Sequence, residues 1–195
     1  MCADYSSVFV IISRIIQLMD VTQCWMRPAT AADAAAVAGF AEMTFRDTYA
    51  AHNTAEDMEL YCSQAYAPEV LAAEIHQDDV LYLLALVNDH IVGLLKLQWS
   101  QPPMPMPFDN PLQISRIYVH PEAKGKGIGR ILMAAAKAHA AEHGHDYLWL
   151  GVWQQNEAAI AFYKKMGFAI IGTDTFVLGK DPQLDWLMGL PMPKH

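Results

Sequence analysis

Three glycines occupy every second position within VHPEAKGKGIGR, residues 119–130, and basic side chains stand between and beside them. Glycine weakens both helices and strands, so its repetition before a long apolar run needs a reason. Either the segment is a flexible surface turn, or it leaves backbone N–H groups bare at a helix start, where an anion can bind. A dinucleotide fingerprint would need a third glycine at Arg130, and no Gly-Lys-Ser/Thr completes a P-loop. The spacing therefore favours a phosphate-binding loop of another kind over a plain turn.

A second candidate site lies in WLGVWQQNEAAIAFYKKMGF, residues 149–168, where a strand runs into a helix start. Asn156 is placed to cap this helix, and Tyr163 follows about two helical turns later, so both side chains share one face. Tyr163 can be an ordinary core aromatic beside Phe162. Its hydroxyl, with an ordinary pKa of about 10, can also donate a proton to a leaving group.

The elements that position these segments follow from hydrophobic periodicity. Apolar residues at three- and four-residue spacing predict a helix from Thr30 to Tyr49. Thr54 and Pro68 are placed to begin two further helices. Two apolar runs that flank an Asn-Asp-His turn predict a hairpin within residues 80–99.

The second half of the chain alternates strands with helices after a proline-rich loop, residues 102–111, in which the prolines remove backbone donors. The predicted order is strand 112–119, helix 128–143, strand 147–153, helix 156–166, and two strands within 168–179 and 184–190. These elements define an α/β fold. We expect one domain over residues 25–195, preceded by an N-terminal extension, residues 1–24, of unassigned structure.

Composition and charge limit the function. The chain has 195 residues, 53% hydrophobic and 17% charged, which suits one globular domain. Its net charge of −8 is uneven, since residues 1–111 hold 14 acidic and 4 basic side chains and residues 112–195 hold 7 and 9. This split favours an anionic ligand on the second half and a cationic ligand on the first. The overall acidity argues against nucleic acid as a partner.

Cysteine usage and hydropathy indicate the compartment. Cys2, Cys24 and Cys62 are too few and too scattered for a disulfide framework or a zinc site, so we expect a reducing cytoplasm and no metal. The apolar run Val8–Met19 is shorter than the ~20 residues that cross a bilayer, and an arginine interrupts it. We interpret this run as an extra element packed on the domain or as an interface. Together with the apolar run at 185–192, it suggests a homodimer.

The glycine loop, the strand before it and the Asn156–Tyr163 segment together resemble the GCN5-related N-acetyltransferases, the GNAT family, which transfer acetyl from acetyl-CoA to amines. The family's Gln/Arg-x-x-Gly-x-Gly/Ala loop holds the CoA pyrophosphate, and KGKGIG matches it except that Lys124 replaces Gln/Arg. The resemblance extends from about Arg27 to Leu190. Within the family, LGVWQQNEAAIAFYKKMGF and MTFRDTYAAHNTAEDM look most like the PaiA-type spermidine/spermine N-acetyltransferases.

This resemblance implies a mixed, mostly antiparallel sheet of six to seven strands, flanked by helices. The fourth strand (Ile117–Val119) and the fifth (Leu150–Val152) would splay apart so that the pantetheine arm of acetyl-CoA pairs between them. Acetyl-CoA is then a co-substrate. The residues implied to bind it are Ile117, Tyr118, Val119, Lys124, Gly125, Lys126, Gly127, Ile128, Gly129, Arg130, Asn156 and Tyr163.

The resemblance also implies direct attack of a neutral amine on the thioester. The backbone N–H of Val119 would be the oxyanion donor, and Tyr163 would be the general acid that protonates the thiolate. The fourth strand carries no carboxylate, so the general base stays unassigned. The candidates are Glu42, Asp47, His52 and His120.

The acceptor is expected to be a primary amine, and the PaiA-like segment favours a polyamine. The expected substrate-side residues are Asp47, Asn53, Glu56 and Tyr61, although Glu56 can instead stabilise a helix N-terminus. One alternative is a different amine, such as a protein N-terminus, an amino acid or an antibiotic. Another is a non-catalytic module that binds acyl-CoA as a sensor.

Overall fold

The structure is a computed structural model that describes residues 23–193. Its strands are β1 (Trp25–Pro28), β2 (Val80–Val87), β3 (His90–Gln98), β4 (Pro111–Val119), β5 (Tyr147–Trp153), β6 (Ala169–Leu178) and β7 (Asp181–Pro191). They form one seven-stranded sheet in the order β1-β2-β3-β4-β5-β7-β6. Every ladder is antiparallel except β4 with β5. The expected mixed, mostly antiparallel sheet is confirmed.

Helices cover both faces of the sheet. They are α1 (Ala34–Tyr49), α2 (Ala55–Ala65), α3 (Pro68–Ile75), α4 (Ile128–Glu142) and α5 (Glu157–Lys165). One buried cluster joins α1, α2 and α3 to the sheet, and a second joins α4 and α5 to the sheet. Each helix therefore buries its apolar stripe against strands, as the periodicity predicted.

The first hairpin closes through a two-residue turn. Asn88 and Asp89 have φ values of 49° and 62°. Both angles lie in the left-handed region, which asparagine and aspartate tolerate better than other side chains and which matches the twist of the strands. This turn sets the register of β2 with β3, the pair that supports β4.

The expected splay between β4 and β5 is confirmed. Parallel pairing runs only from Pro111 with Tyr147 to Gln113 with Trp149. Beyond that point β4 continues to Val119 and β5 to the end of its own span. A wedge therefore opens between two central strands of the sheet.

Two expectations concern the ends of the chain. The run Val8–Met19, and the extension 1–24 apart from residues 23 and 24, lie outside the described residues. The other apolar run, residues 185–192, is no exposed end: it belongs to β7, an inner strand on which Leu187 and Met188 are buried. Its apolar side chains belong to the core, so this ground for a dimer was wrong. Within residues 23–193, no helix combines the length and apolarity needed to span a membrane.

Candidate active site

The glycine loop connects β4 to α4 with its backbone exposed. Gly125 and Gly127 have φ values of 77° and 96°, in the left-handed region that glycine adopts without strain. Gly127 is the N-cap of α4. A Cβ at Gly93 on β3 would stand 2.8 Å from the side chain of Ile128, so glycine there lets the first turn of α4 approach the sheet closely. The loop and the helix start thus present N–H groups that lack intrahelical acceptors.

These N–H groups border a groove of about 560 Å³, which we call the glycine-loop groove. All the expected cofactor-binding residues line it except Lys126 and Ile128. The side chain of Ile128 is fully buried in the core. Arg130 and Lys165 add positive charge to the groove, and the dipole of α4 points its positive end toward it. The groove is suited to a polyphosphate.

The end of β4 offers a backbone donor to the splay. The N–H of His120 donates to the carbonyl of Val92 on β3 at 3.0 Å. Donors alternate along an antiparallel strand, so the N–H of Val119 points away from β3, toward the side from which β5 has separated. Because pairing with β5 stops at Gln113 with Trp149, this edge is open to a ligand.

A second cavity, of about 360 Å³, lies between α1, α2 and the strands β4 to β7. We call it the acidic cavity because two aspartates, Asp174 and Asp185, line it. It shares part of its lining with the glycine-loop groove. The shared residues are Thr48, Ile117, Tyr118, Asn156, Ala159 and Tyr163. The two spaces therefore meet at Tyr163.

Tyr163 combines a core position with a place at this junction. Its side chain is 8% exposed and packs beside Phe162 and Phe168. The structure records no hydrogen bond to its hydroxyl within residues 23–193. Burial raises the pKa of Tyr163 above its ordinary value. The phenol is therefore protonated at neutral pH and can act as a proton donor.

Asn156 fixes the start of the helix that carries Tyr163. Its Oδ1 accepts the N–H of Ala159 at 3.1 Å, which is the capping bond expected from the sequence. Tyr49 on α1 lines the acidic cavity together with Asn156, and burial raises the pKa of Tyr49 to about 12. Asn156 thus stands at the start of α5 and at the junction of the two spaces.

The two aspartates of the acidic cavity face each other across a ladder, since Asp174 on β6 pairs directly with Asp185 on β7. Burial raises the pKa of Asp185 to about 6, and the carboxylate of Asp174 adds to the rise. A Cβ at Gly151 on β5 would lie 3.2 Å from Asp185 Oδ2, so the missing side chain there leaves room for this carboxylate. Neither aspartate was among the site residues expected from the sequence.

The expected substrate-side residues are only partly brought to this cavity. Tyr61 lines it and stacks on Phe45, with ring centroids 4.7 Å apart. Asp47, Asn53 and Glu56 are not among its lining residues.

Those three residues make other contacts. Asp47 forms an ion pair of 2.7 Å with Lys124 of the glycine loop. Asn53 accepts a hydrogen bond from Gln183, which does line the cavity. Glu56 pairs with Lys180 at 2.6 Å between two exposed side chains. Asp47 therefore contacts the glycine loop and does not line the acidic cavity.

The four candidate bases also lie outside the acidic cavity. Glu42 pairs with Arg46 at 2.7 Å, and Asp47 pairs with Lys124. His52 packs edge-on against Trp153, with ring centroids 5.1 Å apart. His120 is buried at the end of β4, and burial lowers its pKa.

Comparison with known proteins identifies the family. Residues 50–168 match the model of the Acetyltransferase (GNAT) family. An uncharacterised N-acetyltransferase of Lactobacillus delbrueckii subsp. lactis is 32% identical over 145 residues, covering 74% of this chain and 84% of the relative. Spermidine N(1)-acetyltransferase of Thermoplasma acidophilum is 28% identical over 138 residues, covering 69% of this chain and 81% of the relative.

A solved structure is similar over most of the fold. The PaiA N-acetyltransferase of Thermoplasma acidophilum in complex with coenzyme A superposes with a TM-score of 0.73 at 25% identity. The match covers 86% of this chain and 98% of that one. The chain belongs to the GNAT family of acetyltransferases. It is an N-acetyltransferase, and its co-substrate is acetyl-CoA. Among residues 23–193, no group of three or more ligand-type side chains could hold a metal ion.

Proposed function

We propose that the protein acetylates a cationic primary amine, and that its acceptor is a polyamine of the spermidine or spermine type. One observation carries this proposal. At Tyr163, a groove walled by bare glycine backbone and basic side chains meets a cavity that contains two carboxylates. An anionic donor and a cationic acceptor would each find opposite charge on its own side of the junction.

In this proposal acetyl-CoA lies along the glycine-loop groove. Its pyrophosphate accepts hydrogen bonds from the loop and from the first turn of α4, and Arg130 supplies charge. Its pantetheine arm pairs with the open edge of β4 as an additional strand would. This placement brings the thioester to the splay, next to Val119 and Tyr163.

The chemistry follows from that position. The N–H of Val119 stabilises the oxyanion that forms when the amine attacks the thioester carbonyl. Tyr163 donates a proton to the departing thiolate, as its protonated state at neutral pH permits. Holding both substrates at one junction removes much of the entropic cost of bringing them together.

Charge and shape of the acidic cavity support a polyamine. Asp174 and Asp185 form no ion pair within the described part of the chain, so their charge is available to an ammonium group. The rings of Tyr61, Trp153 and Phe176 line the same cavity and can contact methylene groups between amines. The similarity to a spermidine acetyltransferase and to a PaiA protein points the same way.

A cytoplasmic location is part of this proposal. Cys24 and Cys62 are both free thiols. Unpaired thiols are typical of a reducing compartment.

An acceptor screen tests the proposal. The purified protein is incubated with acetyl-CoA and single acceptors, and thiol release is measured with a disulfide reagent. Spermidine and spermine should give the highest kcat/KM, and uncharged or zwitterionic amines should be poorer by at least about tenfold. Faster acetylation of a peptide N-terminus, an amino acid or an aminoglycoside would identify that compound, and not a polyamine, as the acceptor. Calorimetric binding of CoA without turnover of any amine would identify a sensor module instead.

A further inference from the structure

We propose that Asp185 is the general base, the group that takes a proton from the bound ammonium before the amine attacks the thioester. This inference rests on the proposed function, because it deepens the role of the acidic cavity. The reaction requires such a group, since a primary amine with a pKa near 10 is almost fully protonated at neutral pH and an ammonium has no lone pair. The four bases suggested by the sequence all lie outside the cavity.

Position singles out Asp185 within the cavity. Asp185 lies on β7, next to β5, which forms one side of the splay. It is partly buried, whereas its neighbour Asp174 on the edge strand β6 is exposed. The room that Gly151 leaves places the carboxylate of Asp185 over β5, within the same cavity that Tyr163 borders. Because the proposed function makes Tyr163 the proton donor to the thiolate, the reacting atoms would lie beside this residue.

The surroundings of Asp185 suit a base at neutral pH. Burial and the facing carboxylate of Asp174 raise its pKa to about 6. A carboxylate with that pKa is ionised at pH 7 and yet holds a proton better than an exposed one. The ionisable groups that line the cavity are Asp174, Tyr49, Tyr61, Tyr118, Tyr163 and Arg116, and His52 and Asp181 flank it. Arg116 is already paired with Glu74 at 2.9 Å, so its charge is partly compensated.

The protons balance in this scheme. The ammonium gives one proton to Asp185, and the free amine forms a C–N bond as the C–S bond breaks. Tyr163 gives its proton to the sulfur, and the nitrogen loses its second proton to restore the phenol. Asp185 then releases the first proton to solvent. The net change is one amide, one thiol and one released proton for each ammonium and thioester consumed.

The test is the pH profile of kcat/KM for the amine in the Asp185→Asn variant. In the wild type, kcat/KM should rise through about pH 6 as Asp185 ionises and then stay level up to the pKa of the amine, near 10. In Asp185→Asn, only the rare neutral amine can react. The break near pH 6 should vanish, and kcat/KM should rise about tenfold per pH unit toward pH 10. At pH 7.5 the loss should be about 10²- to 10³-fold.

Asp174→Asn is the matched control, because it removes the same charge from the partner of the pair. It should keep the break but move it to lower pH, since the repulsion that raised the pKa of Asp185 is gone. Asp185→Glu, which retains a carboxylate, should keep a level region. Unchanged acetyl-CoA affinity and an unchanged melting temperature would establish that each variant is folded.

The outcomes separate the two proposals. If the wild type acetylates amines and Asp185→Asn keeps both its break and its level region, Asp185 is not the base. A higher KM with an unchanged profile would also overturn its role as base and leave it as a cation-binding group. If the wild type acetylates no amine, the proposed function itself fails.

Discussion

The glycine-loop groove and the acidic cavity meet at one tyrosine, but they are built in different ways. The groove is formed mainly by two segments: the end of β4 with the loop and the start of α4, and one side of α5 along its whole length. Its donors are largely backbone N–H groups. The acidic cavity is lined by residues of α1, α2, α5 and four strands, of which β4 contributes the longest continuous run, residues 113–118. Its character comes from aromatic rings and two carboxylates.

This difference determines which of the two binding sites can change its ligand through a few substitutions. A groove that binds its ligand through backbone N–H groups requires a particular backbone conformation. Glycines allow that conformation whatever the neighbouring side chains are. A cavity that binds through side chains can change its ligand by changing one or two residues, with the sheet unaltered. In the proposed function, local backbone geometry therefore selects the donor, whereas side chains that only the tertiary fold brings together select the acceptor.

Tyr163→Phe tests the junction itself and should have the largest effect of the four changes considered below. Removing the hydroxyl leaves the ring in the core, so stability should change little. The thiolate would leave without a proton donor, and kcat should fall about 10²-fold. Affinity for acetyl-CoA, measured by calorimetry, should stay within about twofold.

Tyr147→Phe is the matched control for that change. Tyr147 is also buried in the sheet, but it stacks on Phe108 away from both cavities. Its variant should keep full kcat. If Tyr163→Phe also kept full kcat, the tyrosine would be only a core residue at the junction and the general acid would have to be sought elsewhere.

Gly127→Leu tests whether the groove binds through backbone. A side chain there would stand over the N–H groups at the N-terminus of α4, so the Kd for acetyl-CoA should rise by about 10- to 100-fold, as expected for the loss of one or two hydrogen bonds to a charged group. Gly144→Leu is the control. Gly144 has a similar φ of 70°, lies at the other end of α4 and has open space around it.

Both leucine variants place a side chain at positive φ, and the 96° at Gly127 lies farther than the 70° at Gly144 from the range that L residues tolerate. Both melting temperatures should therefore fall, that of Gly127→Leu by more. Only Gly127→Leu should lose affinity for acetyl-CoA. Equal affinities for the two variants would mean that the groove does not bind phosphate at this turn.

Gly151→Ala tests the acceptor side in the same manner. The added Cβ would lie only 3.2 Å from Asp185 Oδ2, which is closer than ordinary van der Waals contact. The carboxylate must therefore shift by a few tenths of an ångström. A displaced carboxylate should lower kcat/KM for the amine by about tenfold. Calorimetry should find the acetyl-CoA Kd unchanged, because Gly151 does not line the glycine-loop groove. A parallel loss of acetyl-CoA affinity would mean that the two spaces are not independent.

The same contrast explains what the sequence could predict. The glycine loop, Asn156 and Tyr163 were recognisable because each lies within a short segment whose spacing has a local physical meaning. The strands and helices followed from periodicity for the same reason. Asp47 was expected on the acceptor side because it lies in the segment that resembles the PaiA-type acetyltransferases. Its ion pair with Lys124 depends on how α1 packs beside the loop, which no local pattern encodes.

The two aspartates of the acidic cavity were not predicted as site residues, although the sequence contains a pattern that could have identified them. Aspartate is rare inside strands, yet Asp174 and Asp185 each interrupt a strand pattern. A two-residue turn at Gly179–Lys180 sets the β6–β7 register and places them opposite each other. Counting back from that turn would have found the pair. The uneven charge directed the search for a cation-binding site to the acidic first half of the chain, whereas these two carboxylates lie in the basic second half.

Asp47→Asn should have the smallest effect, and it addresses the boundary between the two regions. If Asp47 bound the amine, its loss would raise the KM for the polyamine. The ion pair with Lys124 instead predicts an effect on acetyl-CoA. Because the substitution frees Lys124 and removes a nearby negative charge, acetyl-CoA should bind up to about fivefold more tightly, which is the range of an exposed ion pair. The amine KM should stay constant.

Glu59→Gln is the control, because it removes the same charge from an exposed pair with Arg46. It should leave the acetyl-CoA Kd and the amine KM unchanged, which separates the local effect from a change in net charge. A raised amine KM in Asp47→Asn alone would return Asp47 to the acceptor side and extend the acidic cavity toward α1.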